Sequence, residues 1–150
     1  MIRDDIKSAL VAAMKAGDKQ TVAAARLIQA AVKNRDIEER TKEKPTEDDQ
    51  LVTEVLQKMV KQRRESIDLY RKGGREELAQ AEEAEVAVIE RFLPEQMDEA
   101  AATSLIQAIK AELGATGPKD MGRVMAELKA RAGSTLDMSR ASGWVKQALA

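Results

Sequence analysis

Three charged side chains fall on the apolar faces of two predicted helices, where charges are uncommon. At about 100° per residue, Arg63 lies within the apolar stripe of one helix, and Glu82 and Glu85 lie within that of the next. Paired carboxylates can share a proton or hold Mg²⁺, but an adjacent arginine keeps both ionised and competes with a metal for their oxygens. The favoured interpretation is a structural ion pair, because an unpaired inward charge is costly. A polar pocket for a ligand or metal is the alternative.

A second candidate chemistry is phosphate binding by a basic segment. Residues 58–75 contain seven cations and two acids, whereas residues 76–90 contain six acids and no base. Adjacent helices of opposite charge attract each other and fix their register, which is the simpler interpretation. The alternative is an RNA-facing patch, although neighbouring acids would weaken its field. Its candidate residues are predicted to lie away from the apolar stripe: Lys61, Arg64, Arg71 and Lys72.

A third candidate site precedes a predicted helix near the end of the chain. The Gly-Pro pair at 117–118 exposes backbone N–H groups at the positive end of that helix, with Lys119 and Arg123 beside them. These groups form a candidate seat for one RNA phosphate, which Asp120 opposes. Alternatively, the two cations are solvated and Gly122 lets another helix approach closely.

The composition excludes much familiar catalytic machinery. The 150 residues include no Cys and no His, so thiol nucleophiles, imidazole bases, Cys or His metal ligands and Ser-His-Asp triads are absent. No Gly-rich phosphate loop of the Walker or Rossmann kind is present. We therefore assign no catalytic residue, no metal ligand and no cofactor. The net charge of −1 and the three aromatic residues argue against a uniformly basic nucleic-acid binder or a stacking platform, and no DNA partner is expected.

The elements that must position these residues are helices throughout. Helix-forming residues dominate and strand-like alternation is missing, so the predicted fold class is all-α. A long antiparallel hairpin turning at Gly73-Gly74 belongs to the N-terminal multi-helical domain, and a small three-helix bundle follows the boundary at Pro94. No sustained heptad repeat is evident, so a long coiled coil is not expected. The predicted helices begin and end near residues 2–16, 19–43, 46–72, 75–93, 98–113, 118–132 and 137–149.

Two local predictions concern the polar segment 41–50. The second helix loses its apolar stripe beyond Lys33, so its far end is predicted to stand in water. Thr46 and Asp49 have the spacing of a capping box that would start the third helix.

Acids at the N terminus argue against a transit peptide, and no run of 18 apolar residues occurs. We expect a cytoplasmic protein with no membrane partner.

Several segments follow one another in a fixed order along the chain: Arg26–Lys33, Val60–Ser66, Tyr70, Gly74-Arg75, Leu78-Ala79, Phe92–Gln96, Lys119–Met125 and Val145–Leu149. Together they resemble the YqeY family, and the resemblance covers essentially the whole chain. One departure lies at residues 133–139, where a Gly-x-Ala-Asp-Gly-like turn is expected before the last helix.

The resemblance implies both an organisation and a function. It implies an N-terminal helical YqeY domain over residues 1–94 and a C-terminal three-helix domain over 95–150 of the GatB/YqeY type. The latter is similar to the tail of the B subunit of glutamine-dependent aminoacyl-tRNA amidotransferase, which engages tRNA. Carbon–nitrogen ligase activity with glutamine as amide donor is thereby implied, with tRNA and an amidotransferase or other translation-related protein as partners.

The missing catalytic groups determine how we interpret that resemblance. Glutamine hydrolysis needs an activated nucleophile with an oxyanion hole, and carboxyl activation needs a nucleotide site. We therefore expect a tRNA-binding accessory module that is not catalytic alone. The alternative is a helical protein-interaction or structural protein with no RNA contact.

Overall fold

The computed structural model describes every residue from Met1 to Ala150 and contains seven α-helices and no strand, which confirms the all-α prediction. A short 3₁₀ turn, Pro118–Asp120, runs directly into the sixth helix. The helices are α1 (Ile2–Ala16), α2 (Lys19–Glu39), α3 (Asp48–Lys72), α4 (Glu76–Glu90), α5 (Glu99–Leu113), α6 (Met121–Ala132) and α7 (Met138–Leu149).

The chain divides into two compact units, Met1–Leu93 and Pro94–Ala150. The first unit contains α1–α4, and the second contains α5–α7 with the 3₁₀ turn. Each unit has buried apolar clusters of its own, so each has the internal packing expected of a domain.

Several helices begin or end at residues whose own side chain or backbone conformation caps the helix. Gly17 and Gly114 end α1 and α5 in the left-handed conformation, with φ of 71° and 62°. The carboxylates of Asp18, Asp98 and Asp137 accept hydrogen bonds from first-turn N–H groups of α2, α5 and α7. The last of these caps forms within the segment that departs from the family's expected turn, so α7 begins normally there.

The core of the first unit contains two clusters. The larger draws on all four helices and includes the fully buried Ile28, Leu56 and Ile89. The smaller is formed by α3 and α4 alone, from Ile67, Ala79 and Val86, with Val60 and Tyr70 packed against it. The C-terminal half of α3, from Val60 to Tyr70, therefore buries its apolar side chains against α4.

The core of the second unit is one cluster shared by α5, α6 and α7. Ile106 and Ile109 of α5 are fully buried, as are Val124 and Leu128 of α6 and Val145 of α7. Because apolar residues recur at three- and four-residue spacing in each helix, each presents one continuous stripe to this core.

The polar segment between α2 and α3 differs from its prediction. The second helix ends at Glu39, four residues before the predicted end. The N-cap of α3 is Glu47, whose carboxylate accepts from the backbone N–H groups of Asp49 and Gln50 at 3.1 and 3.0 Å. Thr46 precedes the cap, and its hydroxyl and backbone N–H both donate to Glu39. The capping-box prediction was therefore wrong.

Candidate binding surfaces and the ion pairs that border them

The charges on the inner faces of α3 and α4 lie together. Nη1 of Arg63 is 3.3 Å from Oε2 of Glu82 and 3.1 Å from Oε2 of Glu85. The three side chains are 18%, 24% and 31% exposed, so the group is mostly covered but reaches solvent. Nε of Arg63 is buried without a hydrogen-bond partner. These distances describe a cation bridging two carboxylates across neighbouring helices.

The same geometry limits what this group can do chemically. The guanidinium occupies the space between the two carboxylates, so a metal ion would have to compete with it for their oxygens. No group of three or more acidic side chains in the chain is arranged to hold a metal ion. The arrangement is suited to holding α3 and α4 in register, because a slip of one turn would leave Arg63 facing only one of the two carboxylates.

Two of the four cations assigned to the α3 patch form ion pairs with acids of α4. Nη2 of Arg64 is 2.7 Å from Oε1 of Glu90, and both side chains are exposed. Nη2 of Arg71 is 3.2 Å from Glu76 and 2.6 Å from Glu83, and the hydrogen bonds that Arg71 donates to these carboxylates raise its pKa. Acids of α4 therefore offset part of the positive charge of α3.

The other two cations of the patch, Lys61 and Lys72, are exposed. Lys72 lies in the last turn of α3 and makes no ion pair, so its ammonium is available to an external anion. All four cations are therefore exposed, and two of them, Arg64 and Arg71, are paired with acids of α4.

The helix start near residue 118 already contains an anion of the chain. Oδ2 of Asp120 accepts from the backbone N–H groups of Thr116 and Gly117 at 2.9 and 3.4 Å, and Oδ1 accepts from Nη2 of Arg123 at 2.7 Å. The Thr116 bond, followed by the Arg123 bond, lowers the pKa of Asp120 to about 2. A phosphate seated there would have to displace this carboxylate. Lys119 is exposed and makes no ion pair.

The close helix approach considered for Gly122 does not occur. A Cβ added at this residue would have no neighbour within 4 Å. Glycine is therefore not required there by packing.

A cluster at the end of α2 was not predicted from the sequence. Glu39 is only 7% exposed. Its Oε1 accepts from Lys42, Thr46 and Arg35 at 2.8, 2.9 and 3.1 Å, and its Oε2 accepts from the Thr46 N–H at 3.0 Å. These donors, Lys42 foremost, lower the pKa of Glu39 to about 2. The prediction that this end of α2 stands in water holds for Ile37, Glu38 and Arg40, which are exposed, but was wrong for Glu39, because residues 42–46 fold back over it.

A second unpredicted connection joins the start of α1 to α2 and α3. Both terminal nitrogens of Arg3 are 2.9 Å from the carboxylate oxygens of Asp36, and Nη2 is also 2.8 Å from Asp48. The backbone N–H of Ile2 donates to Asp49 at 2.9 Å. The Asp36 and Asp48 contacts raise the pKa of Arg3. The only sequence signal for this connection was the density of acids near residues 36 and 48.

These features define an all-helical protein of two compact units in which charged side chains bind one another and the helix ends. None of the helices is both long and apolar enough to cross a bilayer. The polar side chains described above are arranged between helices and along their exposed faces.

The chain belongs to the YqeY family. The family model for Yqey-like proteins matches residues 3–149. A curated relative, altered inheritance of mitochondria protein 41 of Eremothecium gossypii, described as mitochondrial, is 36% identical over 92 residues. That match covers 61% of this chain and 46% of the relative, so the chain matches less than half of the relative's length.

Proposed function

We propose that the chain is a non-catalytic accessory module that binds tRNA and serves glutamine-dependent amidotransferase chemistry performed by another protein. The observation that carries the proposal is the exposed cation set on α3: Lys61, Arg64, Arg71 and Lys72. With a rise of about 1.5 Å per residue, the set extends over roughly 16 Å, long enough to follow several phosphates.

The ion pairs within this set are compatible with RNA binding. Arg64 is 55% exposed and Arg71 is 42% exposed, and solvent-screened ion pairs at such positions contribute little to stability. A phosphate can therefore replace a carboxylate at little cost. The arginine fork matches phosphate geometry as well as it matches carboxylate.

The second unit adds a smaller contribution to the proposal. Lys119 and Arg123 are exposed and would add positive charge, but the backbone N–H groups beside them are engaged by Asp120. Their role is therefore electrostatic attraction rather than a built phosphate seat. The family resemblance, in which this part is similar to an amidotransferase tail, supports tRNA as the nucleic acid.

The accessory role follows from the residues available for amide transfer. The sequence has no Cys or His and no Gly-rich phosphate loop, so neither glutamine hydrolysis nor carboxyl activation has its usual groups here. The carbon–nitrogen ligase chemistry linked to the family is therefore assigned to a partner.

A cytoplasmic location is part of the same proposal, and import into mitochondria is the alternative suggested by the relative's name. Cell fractionation distinguishes them.

Titration of bulk tRNA across a salt series tests the RNA contact. The variant Arg64→Gln/Lys72→Gln should weaken binding and reduce the slope of log K against log salt by about two. The matched control Lys7→Gln/Lys146→Gln changes net charge equally at exposed positions on α1 and α7. Equal losses in both variants, or no saturable binding by the unaltered chain, would contradict the α3 assignment. Ammonia release from glutamine by homogeneous chain would contradict the non-catalytic role.

A second candidate function is a protein-interaction module without RNA contact. The pairing of Arg64 and Arg71 with acids of α4 favours it, because the basic segment is partly neutralised within the fold. A tRNA titration without saturation would select this candidate.

A further inference from the structure

The outward face of α2 carries an apolar stripe with no partner. Ala23, Leu27, Ala30, Asn34 and Ile37 are all exposed and recur at alternating four- and three-residue spacing, so they form one line along the helix. Leu27 is 45% exposed and Ile37 is 49% exposed. In heptad terms, Leu27 and Asn34 occupy a positions, and Ala23, Ala30 and Ile37 occupy d positions. The repeat is short and confined to one helix, so it does not form a long coiled coil.

A row of cations borders this stripe on one side. Lys19, Arg26, Lys33 and Arg40 are seven residues apart and exposed, which places them all at g positions about 10.5 Å from one another. Lys19, Arg26 and Lys33 make no ion pair through their side chains. The acid one turn after Lys33 is Asp36, which is held by Arg3 instead. Lys19, Arg26 and Lys33 therefore form a line of unpaired positive charge beside exposed apolar surface.

The apolar surface continues past the start of α2. An open groove of about 340 Å³ lies between the end of α1 and the first turns of α2, lined in part by Met14, Val22, Ala23 and Arg26. Met14 is 54% exposed. The groove extends the stripe toward α1 with a flexible side chain that adapts to different partners.

We propose that this face of α2 binds an acidic amphipathic helix of a partner protein. The partner's apolar side packs on Leu27 and Ile37, and its carboxylates lie opposite Arg26 and Lys33. Asn34, a polar residue within the apolar line, restricts the register of pairing. The binding surface lies on a different helix from the proposed RNA contacts of α3, so it adds a second interaction to the proposed function and does not depend on it.

Charge complementarity identifies the partner's chemistry. A second copy docking antiparallel through the same face would bring the cation row against the row of its copy, which is destabilising. A purely apolar partner would leave the cations without opposite charges. An acidic amphipathic helix provides apolar contacts for the stripe and carboxylates for the cations. Because the seam covers only about two to three heptads, the complex is expected to be transient.

A synthetic peptide of about three heptads, with Leu at a and d and Glu at e and g, provides the probe. Its like charges keep it from pairing with itself. The chain contains no Cys, so Ala30→Cys accepts a single environment-sensitive dye beside the stripe, and Ala87→Cys on the exposed side of α4 gives a matched control label. We expect saturable dye response at residue 30, little response at residue 87, and no comparable binding of the same peptide with Lys at e and g.

Reversal of the row tests whether the cations select the partner. Arg26→Glu/Lys33→Glu should weaken binding of the Glu peptide about tenfold or more and strengthen binding of the Lys peptide, whereas Lys7→Glu/Lys146→Glu should do neither. Leu27→Gln should weaken binding of the Glu peptide to the chain with its natural cation row and binding of the Lys peptide to the chain with the reversed row, which separates the apolar contribution. Circular dichroism checks that each variant is folded.

Three results would overturn the proposal. They are the absence of saturable Glu-peptide binding, equal binding of both peptides, and an unchanged preference after reversal of the row. Loss of tRNA binding in Arg26→Glu/Lys33→Glu, without a change in peptide binding, would assign this face to RNA. Failure of the α3 variants to affect tRNA would contradict the proposed function and leave this surface intact.

Discussion

Removal of Arg63 from between Glu82 and Glu85 is the most direct test of how the α3–α4 pair is held in register. In Arg63→Met, the apolar stem is kept and the guanidinium is lost, so two carboxylates remain mostly covered without a cation. We expect the unfolding free energy of the first unit to fall. In Arg63→Met/Glu82→Leu/Glu85→Leu, no uncompensated charge remains, and we expect most of the loss to be restored.

The size of the effect follows from exposure. Exposed pairs contribute about 0–1 kcal/mol, whereas removal of one partner from a buried pair costs about 3–5 kcal/mol. The three side chains are 18–31% exposed, which places the expected cost of Arg63→Met between these limits, at about 2 kcal/mol. With an m-value of about 1–3 kcal/mol/M, the urea midpoint of the first unit should fall by about 1 M.

Urea unfolding by circular dichroism, with hydrogen exchange of α3 and α4 amides, measures this cost. Amides of α5–α7 serve as an internal reference, and Arg91→Met, an exposed arginine after α4, is the control substitution. A silent Arg63→Met, or a triple variant as unstable as the single one, would refute the reasoning that the charges act as a compensated group.

Three further predictions concern stability. The pKa of Glu39 is about 2 against an ordinary 4.5, so its stabilising contribution is complete above pH 4.5 and is lost as pH falls toward 2. Glu39→Gln should lower the free energy of unfolding at pH 7, and the stability of this variant should fall less steeply between pH 4.5 and 2 than that of the unaltered chain. Urea unfolding at several pH values measures this, with Glu65→Gln as the exposed control. Parallel pH profiles of Glu39→Gln and the unaltered chain would contradict the prediction. Gly122→Ala should raise the unfolding free energy by about 0.5–1 kcal/mol, because the helix gains an alanine and the new Cβ meets nothing. Gly133→Ala should lower the thermal midpoint instead, because its Cβ would lie 2.6 Å from the Lys129 carbonyl oxygen; matching shifts in the two variants would contradict the packing assigned to both.

Helix periodicity and local capping account for what the sequence could predict. Gly17, Gly114 and the capping aspartates act within a few residues of themselves, so their effects could be inferred locally. Arg63 could be nominated because its position on the wheel depends on its own helix alone. The segregation of charge between residues 58–75 and 76–90 also favoured pairing of α3 cations with α4 acids, but it did not specify which acids would approach Arg64 and Arg71.

Long-range pairing between polar residues could not be predicted in this way. Glu39 lies in a charged stretch that periodicity assigns to solvent, and its burial arises only when residues 42–46 fold back over it. Thr46 was misassigned for the same reason, since local spacing favoured a cap, whereas in the fold both of its donors are directed to Glu39 and the neighbouring Glu47 caps α3. The approach of Asp120 to Thr116 depends on the tight turn before α6, which Gly-Pro marks without specifying which anion fills it.

The fastening of Ile2 and Arg3 to Asp36, Asp48 and Asp49 fixes the point at which the polypeptide leaves the first unit on its N-terminal side. Any fluorophore or purification handle attached ahead of Met1 emerges beside the entry to α3. Such an attachment would report directly on local opening of that junction.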